Sequence, residues 1–156
     1  MRDQESGNRT VASAPVDDSW ITARNDAGGY RTDVAVGTRT FVVDEPLAAG
    51  GTDAGPTPYD YLIGALGACT AMTIRMYANR KGWPLDGVIV RMRETASYAS
   101  DCENCETQAV GIRRIERRVE LNGRLTDDQH KRLLAIADRC PIKQTLERGL
   151  QIAPAV

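Results

Sequence analysis

Aromatic side chains are scarce in this chain of 156 residues, which has one Phe, two Trp and five Tyr. Proteins that bind single-stranded nucleic acid stack bases on aromatic rings, so this scarcity argues against such a function. The net charge of −1 gives no field that would attract nucleic acid or an anionic membrane. We therefore expect no nucleic-acid partner and no membrane partner.

The chain also lacks an apolar run long enough to span a bilayer. Asp60 and Arg75 interrupt the most apolar stretch, residues 59–78, and leave 14 uncharged residues between them, whereas a span needs about 20. Residues 1–18 are polar, contain no apolar core of the kind found in a signal peptide, and predict a disordered segment. The sequence therefore predicts a cytoplasmic protein with one domain over residues 19–156.

Strand and helix patterns alternate along the rest of the chain. Residues 20–24 and 30–43 flank a turn sequence and predict a hairpin, with Val34, Val36, Thr40 and Val42 on one face. Two further strands are predicted at residues 88–93 and 112–121, and a short closing strand at residues 150–152. This order of elements predicts an α+β fold with antiparallel-leaning sheets.

The longest predicted helix begins with a capping box at Thr57 and Asp60 and extends to about Arg80. It is apolar on most sides, so we expect it to be buried at the centre of the protein. Its small residues would let another backbone approach closely, such as that of a second subunit. The residues expected to be buried along it are Leu62, Leu66, Met72, Thr73 and Met76.

A second helix is predicted to begin after Thr126, with Gln129 completing a capping box. It is expected to end at Cys140, because Pro141 disfavours helical geometry in the residue before it. A short helix is expected to restart at Pro141. The residues predicted on the inner face of the second helix are Leu133, Ile136, Ala137 and Cys140.

Four cysteines in a cytoplasmic protein are more often reactive or metal-binding than structural. Cys69 lies midway along the long helix. Cys140 would occupy the N-cap of the helix that restarts at Pro141, where free backbone N–H groups favour a thiolate. The ordinary alternative for each cysteine is a small buried apolar residue, because burial on an apolar face is common for cysteine.

Cys102 and Cys105 form a CxxC sequence in a polar segment between two predicted strands. The pair could be half of a zinc site, a second redox pair, or a loop with two thiols. The only histidine, His130, lies in the second helix, so a zinc site within one subunit would need carboxylates or a borrowed ligand. We expect no metal and no organic cofactor.

The strand at residues 112–121 carries a dense basic run, in which two glutamates interleave with the arginines. The default interpretation of such a run is a solvated face. The residues concerned are Arg113, Arg114, Arg117, Arg118, Glu116 and Glu120.

Two segments, GPTPYDYLIGALGACTAMTIRMYANRKGWPL and the later LLAIADRCPIKQTLE, resemble the OsmC/Ohr family of osmotically induced and organic-hydroperoxide-resistance proteins. The TPYD and DEP motifs are similar to a less characterised branch. The resemblance implies an OsmC-like fold, an intertwined homodimer and a thiol-dependent hydroperoxide reductase. It further implies that Cys69 is the peroxidatic residue, that Cys140 is the resolving one, and that a cellular dithiol reduces their disulfide.

The resemblance also implies that an arginine held by a carboxylate activates the peroxidatic cysteine. Arg75 is six residues from Cys69 and falls off its helix face, so Arg39 with Glu45 is the better candidate. The alternative for Arg39 is an ordinary exposed arginine of a strand. Tyr59 stands where the family's peroxidases carry an acid. The alternative to an enzyme is a non-catalytic redox sensor or small-molecule-binding dimer with the same fold.

Overall fold

The computed structural model describes residues 20–97 and 112–153, and for residues 96, 97, 112 and 113 it describes the backbone alone. The predicted disordered segment and the Cys102–Cys105 pair lie outside the described residues. The elements are antiparallel strands and three α-helices, so the predicted α+β class is confirmed. In chain order they are β1 (Ile21–Asn25), β2 (Thr32–Val36), β3 (Arg39–Val43), a 3₁₀ turn (Leu47–Ala49), α1 (Pro58–Lys81), β4 (Leu85–Ser97), β5 (Ile112–Gly123), α2 (Asp127–Ala137) and α3 (Pro141–Arg148).

The chain divides into two compact units, residues 1–58 and 59–156. In the first unit, β1, β2 and β3 form an antiparallel meander in that order. The run predicted as one strand, residues 30–43, is two strands, because a turn at Gly37 with φ +56° separates them. That turn also overturns the predicted face. Val34 pairs with Phe41 and Ala35 with Thr40, and paired residues share a face. Thr40 and Val42 therefore lie on the other face of the sheet from Val34.

The loop after β3 is organised around Asp44, which is buried. Its carboxylate accepts the backbone N–H groups of Glu45 (2.8 Å), Thr52 (3.0 Å) and Ala54 (3.1 Å), and the Thr52 hydroxyl (2.5 Å). These bonds, led by that of the Thr52 hydroxyl, lower the pKa of Asp44 to about 2, against the opposing effect of desolvation. Asp44 therefore holds this loop as a carboxylate.

In the second unit, β4 and β5 form a long antiparallel hairpin with Val88 opposite Leu121 and Val90 opposite Val119. The predicted alternation is confirmed, since Val88, Val119 and Leu121 pack on the core of this unit. The other face is charged, and its arginines pair with the interleaved glutamates across the strands, as in Arg93–Glu116 and Arg91–Glu120. The solvated face predicted for the basic run is thus confirmed for four described residues, Arg114, Glu116, Arg118 and Glu120.

Helix α1 begins and ends within two residues of its predicted limits, but its burial differs from the prediction. One stripe at a spacing of four residues is buried: Leu66, Thr70, Ile74 and Ala78. The prediction of burial on most sides is wrong for the single chain, because Met72 is 64% exposed and Met76 71% exposed. Within the described residues, no helix combines the length and apolar character that a membrane crossing requires.

Helices α2 and α3 follow the predicted start and break. The Thr126 hydroxyl accepts the Gln129 N–H and the Gln129 side chain accepts the Thr126 N–H, which confirms the capping box. Leu133 and Ala137 join Ile74, Ala78 and Leu85 in the core of the second unit. The predicted closing strand is wrong: residues 150–152 are irregular and pair with no strand among the described residues, so Ile152 is 94% exposed.

Candidate active site

Cys140 lies in the sharp connection between α2 and α3. Helix α2 ends at Ala137, and Cys140 is the N-cap of α3 with Pro141 at the first helical position, as the sequence predicts. Its side chain is 0% exposed. The Cys140 carbonyl accepts the N–H of Gln144 at 3.1 Å, the first bond of the new helix. The sulfur is therefore held at the positive end of a helix.

Cys69 approaches Cys140 from the middle of α1, where it is partly buried. Both thiols are free, and the two side chains lie within hydrogen-bonding reach of each other. The fold of the second unit thus brings together two cysteines that lie 71 positions apart in the sequence.

The environment of Cys140 favours its ionised form. Desolvation by burial opposes ionisation, but hydrogen bonds from the Cys69 thiol, the Lys143 and Ile142 backbone N–H groups and the Thr70 hydroxyl outweigh it and lower the pKa of Cys140. These donors come from α1 and from the first turn of α3. If one of the two sulfurs carries a negative charge, Cys140 is the favoured one.

Cys69 has the opposite balance. Desolvation by burial, followed by the hydrogen bond to Cys140, raises the pKa of Cys69, and the Ile142 N–H and Thr73 hydroxyl oppose the rise only in part. Cys69 lies well inside α1, so its own helix offers no free N–H groups. The contacts of α1 and α3 therefore do not activate Cys69 as a thiolate.

Two threonines of α1 flank the pair and had no role in the sequence prediction. The Thr73 hydroxyl donates to the Cys69 carbonyl at 2.7 Å. Thr70 is 0% exposed, and its hydroxyl reaches both the Leu66 carbonyl, at 2.9 Å, and the Cys140 sulfur. The sequence signal for Thr70 is its spacing of four from Leu66 and Ile74, which sets it in the buried stripe.

Among the described side chains of the basic run, Arg117 departs from the solvated face. Its guanidinium donates to the Ala137 carbonyl at 3.1 Å and to the Asp138 carboxylate at 2.8 Å, so it ties β5 to the end of α2 just before Cys140. The expectation of a solvated face is wrong for this residue. Arg117 is two positions from both Ile115 and Val119, so all three share the inward side of β5. This spacing of two is the signal in the sequence that identifies Arg117 as inward-facing.

Two clefts are lined by neighbours of the cysteines, although neither cysteine is among their lining residues. One, of about 340 Å³, contains Thr73, which contacts Cys69, and Pro141, which follows Cys140; it is otherwise lined by Met76, Tyr77, Arg80, Ile136 and Arg139. The other, of about 510 Å³, contains Leu66 and Lys143 and is otherwise lined by Arg114, Ile115, Arg117, Leu146 and Glu147. The smaller cleft combines apolar side chains with two arginines.

The other residues predicted for the site have the following positions. Arg39 is exposed in β3 and Glu45 is half-buried after it, both in the first unit, so their role beside Cys69 stays a prediction. The Arg75 guanidinium donates to the carbonyls of Leu85 and Asp86 and so holds the start of β4. Tyr59 is 46% exposed in the first turn of α1.

Metal binding finds no support in the part of the chain that the structure describes. There, no three side chains of His, Cys, Asp or Glu are grouped as a metal site would require.

Comparison with known proteins gives the family of the chain. A model of OsmC-like proteins matches residues 51–154, most of the chain, and the chain belongs to that family. A search of curated protein sequences finds no match.

Solved structures share the fold at low sequence identity. An OsmC-like protein from Mycoplasma pneumoniae is 21% identical, with a TM-score of 0.64 over 81% of this chain and 85% of the other. An organic hydroperoxide resistance protein OsmC from Legionella pneumophila is 20% identical, with a TM-score of 0.53 over 80% of this chain and 87% of the other. The organic hydroperoxide resistance protein OhrB of Bacillus subtilis is 21% identical, with a TM-score of 0.50 over 80% of this chain and 87% of the other. These likenesses establish the OsmC/Ohr fold.

Proposed function

We propose that this protein is a thiol-dependent peroxidase that reduces organic hydroperoxides through a reversible Cys69–Cys140 disulfide. The observation that carries the proposal is the hydrogen bond between the two thiols, one on α1 and one at the N-cap of α3. Membership of the OsmC family and structural likeness to proteins named for organic hydroperoxide resistance support it. The function serves defence against oxidative stress.

In the first step, the Cys69 sulfur attacks the distal oxygen of the hydroperoxide. The O–O bond breaks, the alkoxide leaves and takes a proton as the alcohol, and Cys69 becomes a sulfenic acid. The Cys140 sulfur can accept the Cys69 proton, because it lies within hydrogen-bonding reach of Cys69. The hydroperoxide is reduced by two electrons and the sulfur is oxidised by two.

In the second step, Cys140 attacks the Cys69 sulfenic acid, and a disulfide forms as water leaves. A cellular dithiol then reduces the disulfide by exchange through a mixed disulfide. The cycle needs neither a metal nor an organic cofactor. The contact between the two sulfurs is what makes the resolving step fast.

The substrate class follows from the smaller cleft beside the cysteines. Its lining includes Met76, Tyr77, Ile136 and Pro141, which suit an alkyl or aryl group better than the small polar hydrogen peroxide. We therefore expect organic hydroperoxides to be the better substrates.

Activation of Cys69 requires a cation that α1 and α3 do not supply. We propose Arg39 for this role, with Glu45 holding its guanidinium, because an opposite charge within a few ångströms favours the thiolate. Tyr59 stands where the family's peroxidases carry an acid, so it supplies no carboxylate. Glu45 is therefore the carboxylate proposed to hold Arg39.

The test is repeated turnover of cumene hydroperoxide by the full chain with a dithiol. Cys69→Ser is expected to abolish consumption, whereas Cys140→Ser should lose turnover but still form a sulfenic acid on Cys69. Arg39→Met should lower the rate of Cys69 oxidation without preventing disulfide formation by a chemical oxidant. Full turnover by the Cys140→Ser variant would contradict the resolving role.

A second function, a redox sensor, is favoured by one observation. Burial raises the pKa of Cys69, which slows its reaction with peroxide at neutral pH. A sensor would oxidise once per molecule and recycle slowly, whereas an enzyme would consume many equivalents. Counting equivalents of peroxide consumed per protein separates the two functions.

We also propose that the chain forms an intertwined homodimer, as the family resemblance implies. Helix α1 leaves a face with Met72 and Met76 exposed in the single chain. A second copy would bury these apolar side chains, which accords with the small residues along the same helix.

A further inference from the structure

Thr70 belongs to the site, but the proposed mechanism gives it no role. It follows Cys69 directly, so the two side chains point about 100° apart around α1. Both nevertheless reach the Cys140 sulfur, which therefore lies between them against the surface of the helix. The side chains of Thr70 and Cys140 are each 0% exposed, whereas Cys69 is partly exposed.

The Thr70 hydroxyl has one proton and two acceptors within reach. The Leu66 carbonyl at 2.9 Å is one acceptor, and the Cys140 sulfur is the other. In an α-helix the Leu66 carbonyl already accepts the backbone N–H of the residue four positions later. The hydroxyl can therefore turn to a charged sulfur without leaving the Leu66 carbonyl unsatisfied.

On this basis, and resting on the proposed function, we propose that Thr70 is a positioning residue that holds Cys140 as the leaving thiolate when the disulfide is reduced. The external dithiol then attacks the Cys69 sulfur. Two features of the structure support attack on the Cys69 sulfur. Cys69 is partly exposed, whereas Cys140 is 0% exposed. Cys140 also has donors from Thr70, Ile142 and Lys143, whereas the donors to Cys69 are the Ile142 N–H and the Thr73 hydroxyl.

The disulfide is reduced by two successive thiol–disulfide exchanges. A thiolate of the reductant attacks the Cys69 sulfur, the disulfide bond breaks, and Cys140 leaves with the electron pair as a thiolate. The second thiol of the reductant attacks the reductant's own sulfur in the mixed disulfide and releases Cys69, which takes a proton. The dithiol is oxidised to a disulfide and the protein gains two electrons.

The direction of attack is tested by trapping. The full chain, with Cys102→Ser and Cys105→Ser to remove other thiols, is oxidised with diamide, so the result does not depend on peroxide turnover. It is then mixed briefly with a monothiol, alkylated and mapped by mass spectrometry. We expect the monothiol on Cys69 and the alkyl group on Cys140. The reverse pattern would overturn the proposal, even if peroxidase activity is present.

The role of Thr70 is tested by substitution. In the Cys69→Ser background, Thr70→Val should raise the pKa of Cys140, read from thiolate absorbance, by about one unit, because a hydrogen bond to a charged group is lost. Reduction of the diamide-formed disulfide in the two-cysteine protein should slow several-fold. Thr70→Ser keeps the hydroxyl and should restore both values.

Thr73→Val is the matched comparison, since Thr73 contacts Cys69 and not Cys140. It should leave the pKa of Cys140 unchanged. An unchanged Cys140 pKa in Thr70→Val, or an equal rise in Thr73→Val, would refute the proposal. If Thr70→Val does not fold, the Thr70→Ser variant provides the test. A pKa of Cys140 in that variant equal to the pKa of a cysteine in an unfolded chain would also refute the proposal.

Discussion

Replacing Arg117 with Met would remove the guanidinium that ties β5 to the end of α2 while keeping an apolar stem of similar length. Two interactions are lost, the bond to the Ala137 carbonyl at 3.1 Å and the ion pair with Asp138 at 2.8 Å. A hydrogen bond from a charged donor is worth about 1.5–3 kcal/mol. The ion pair adds at most about 1 kcal/mol, because the Asp138 side chain is 61% exposed and solvent screens it.

We therefore expect Arg117→Met to lower the free energy of unfolding by about 2 kcal/mol. For a chain of this size, that corresponds to a fall in Tm of about 4–8 °C. The change also loosens the connection that leads to Cys140, so the disulfide with Cys69 should form more slowly after a chemical oxidant is added. Urea unfolding followed by circular dichroism gives the first value, and timed alkylation gives the second.

Arg114→Met is the matched control, because Arg114 lies on the same strand but is exposed. Its effect should stay within about 0.5 kcal/mol of the wild type. If Arg117→Met were as stable as the Arg114→Met variant and formed the disulfide at the wild-type rate, the bond to α2 would have no part in holding the site.

Two further predictions concern the first unit and the exposed face of α1. The pKa of Asp44 is lowered from 3.8 to about 2, so the stability that its carboxylate contributes is present above pH 3.8 and is lost as the pH falls through about 2. Asp44→Asn should remove this acid-dependent loss, measured by unfolding at a series of pH values; an unchanged acid profile would show that other groups cause it. Met76→Glu should convert the proposed dimer to a monomer in sedimentation experiments, since Met76 is 71% exposed in the single chain, and a wild-type sedimentation coefficient would exclude this face from the interface.

Much of the second unit could be predicted because its signals are local. The capping box of Thr126 and Gln129 sets the start of α2, and the sequence of Cys140 and Pro141 ends that helix and begins α3. Alternation gives β4 its two faces, one with Val88, Val90 and Met92 and the other with Ile89, Arg91 and Arg93. Each of these features depends on residues within a few positions of one another, so the sequence alone determines them.

Other features depend on which segments meet. The turn at Gly37 reversed the faces assigned to β3, and the segment at residues 150–152 had no strand to pair with. Burial of one stripe of α1 likewise depends on the elements that pack on it, which the composition of the helix does not specify. Local patterns predict that an element exists, but its partners decide its orientation.

The sequence by itself determined the helix that carries Cys69, the helix break that carries Cys140, and the resemblance that joined them as a pair. Only the tertiary structure decided that the two cysteine side chains meet, that Thr70 contacts Cys140, and that Arg117 bonds to the end of α2. The physical reason is that ionisation depends on burial and on donors from distant segments. The balance that favours the thiolate at Cys140 over Cys69 exists only once α1 and α3 have come together.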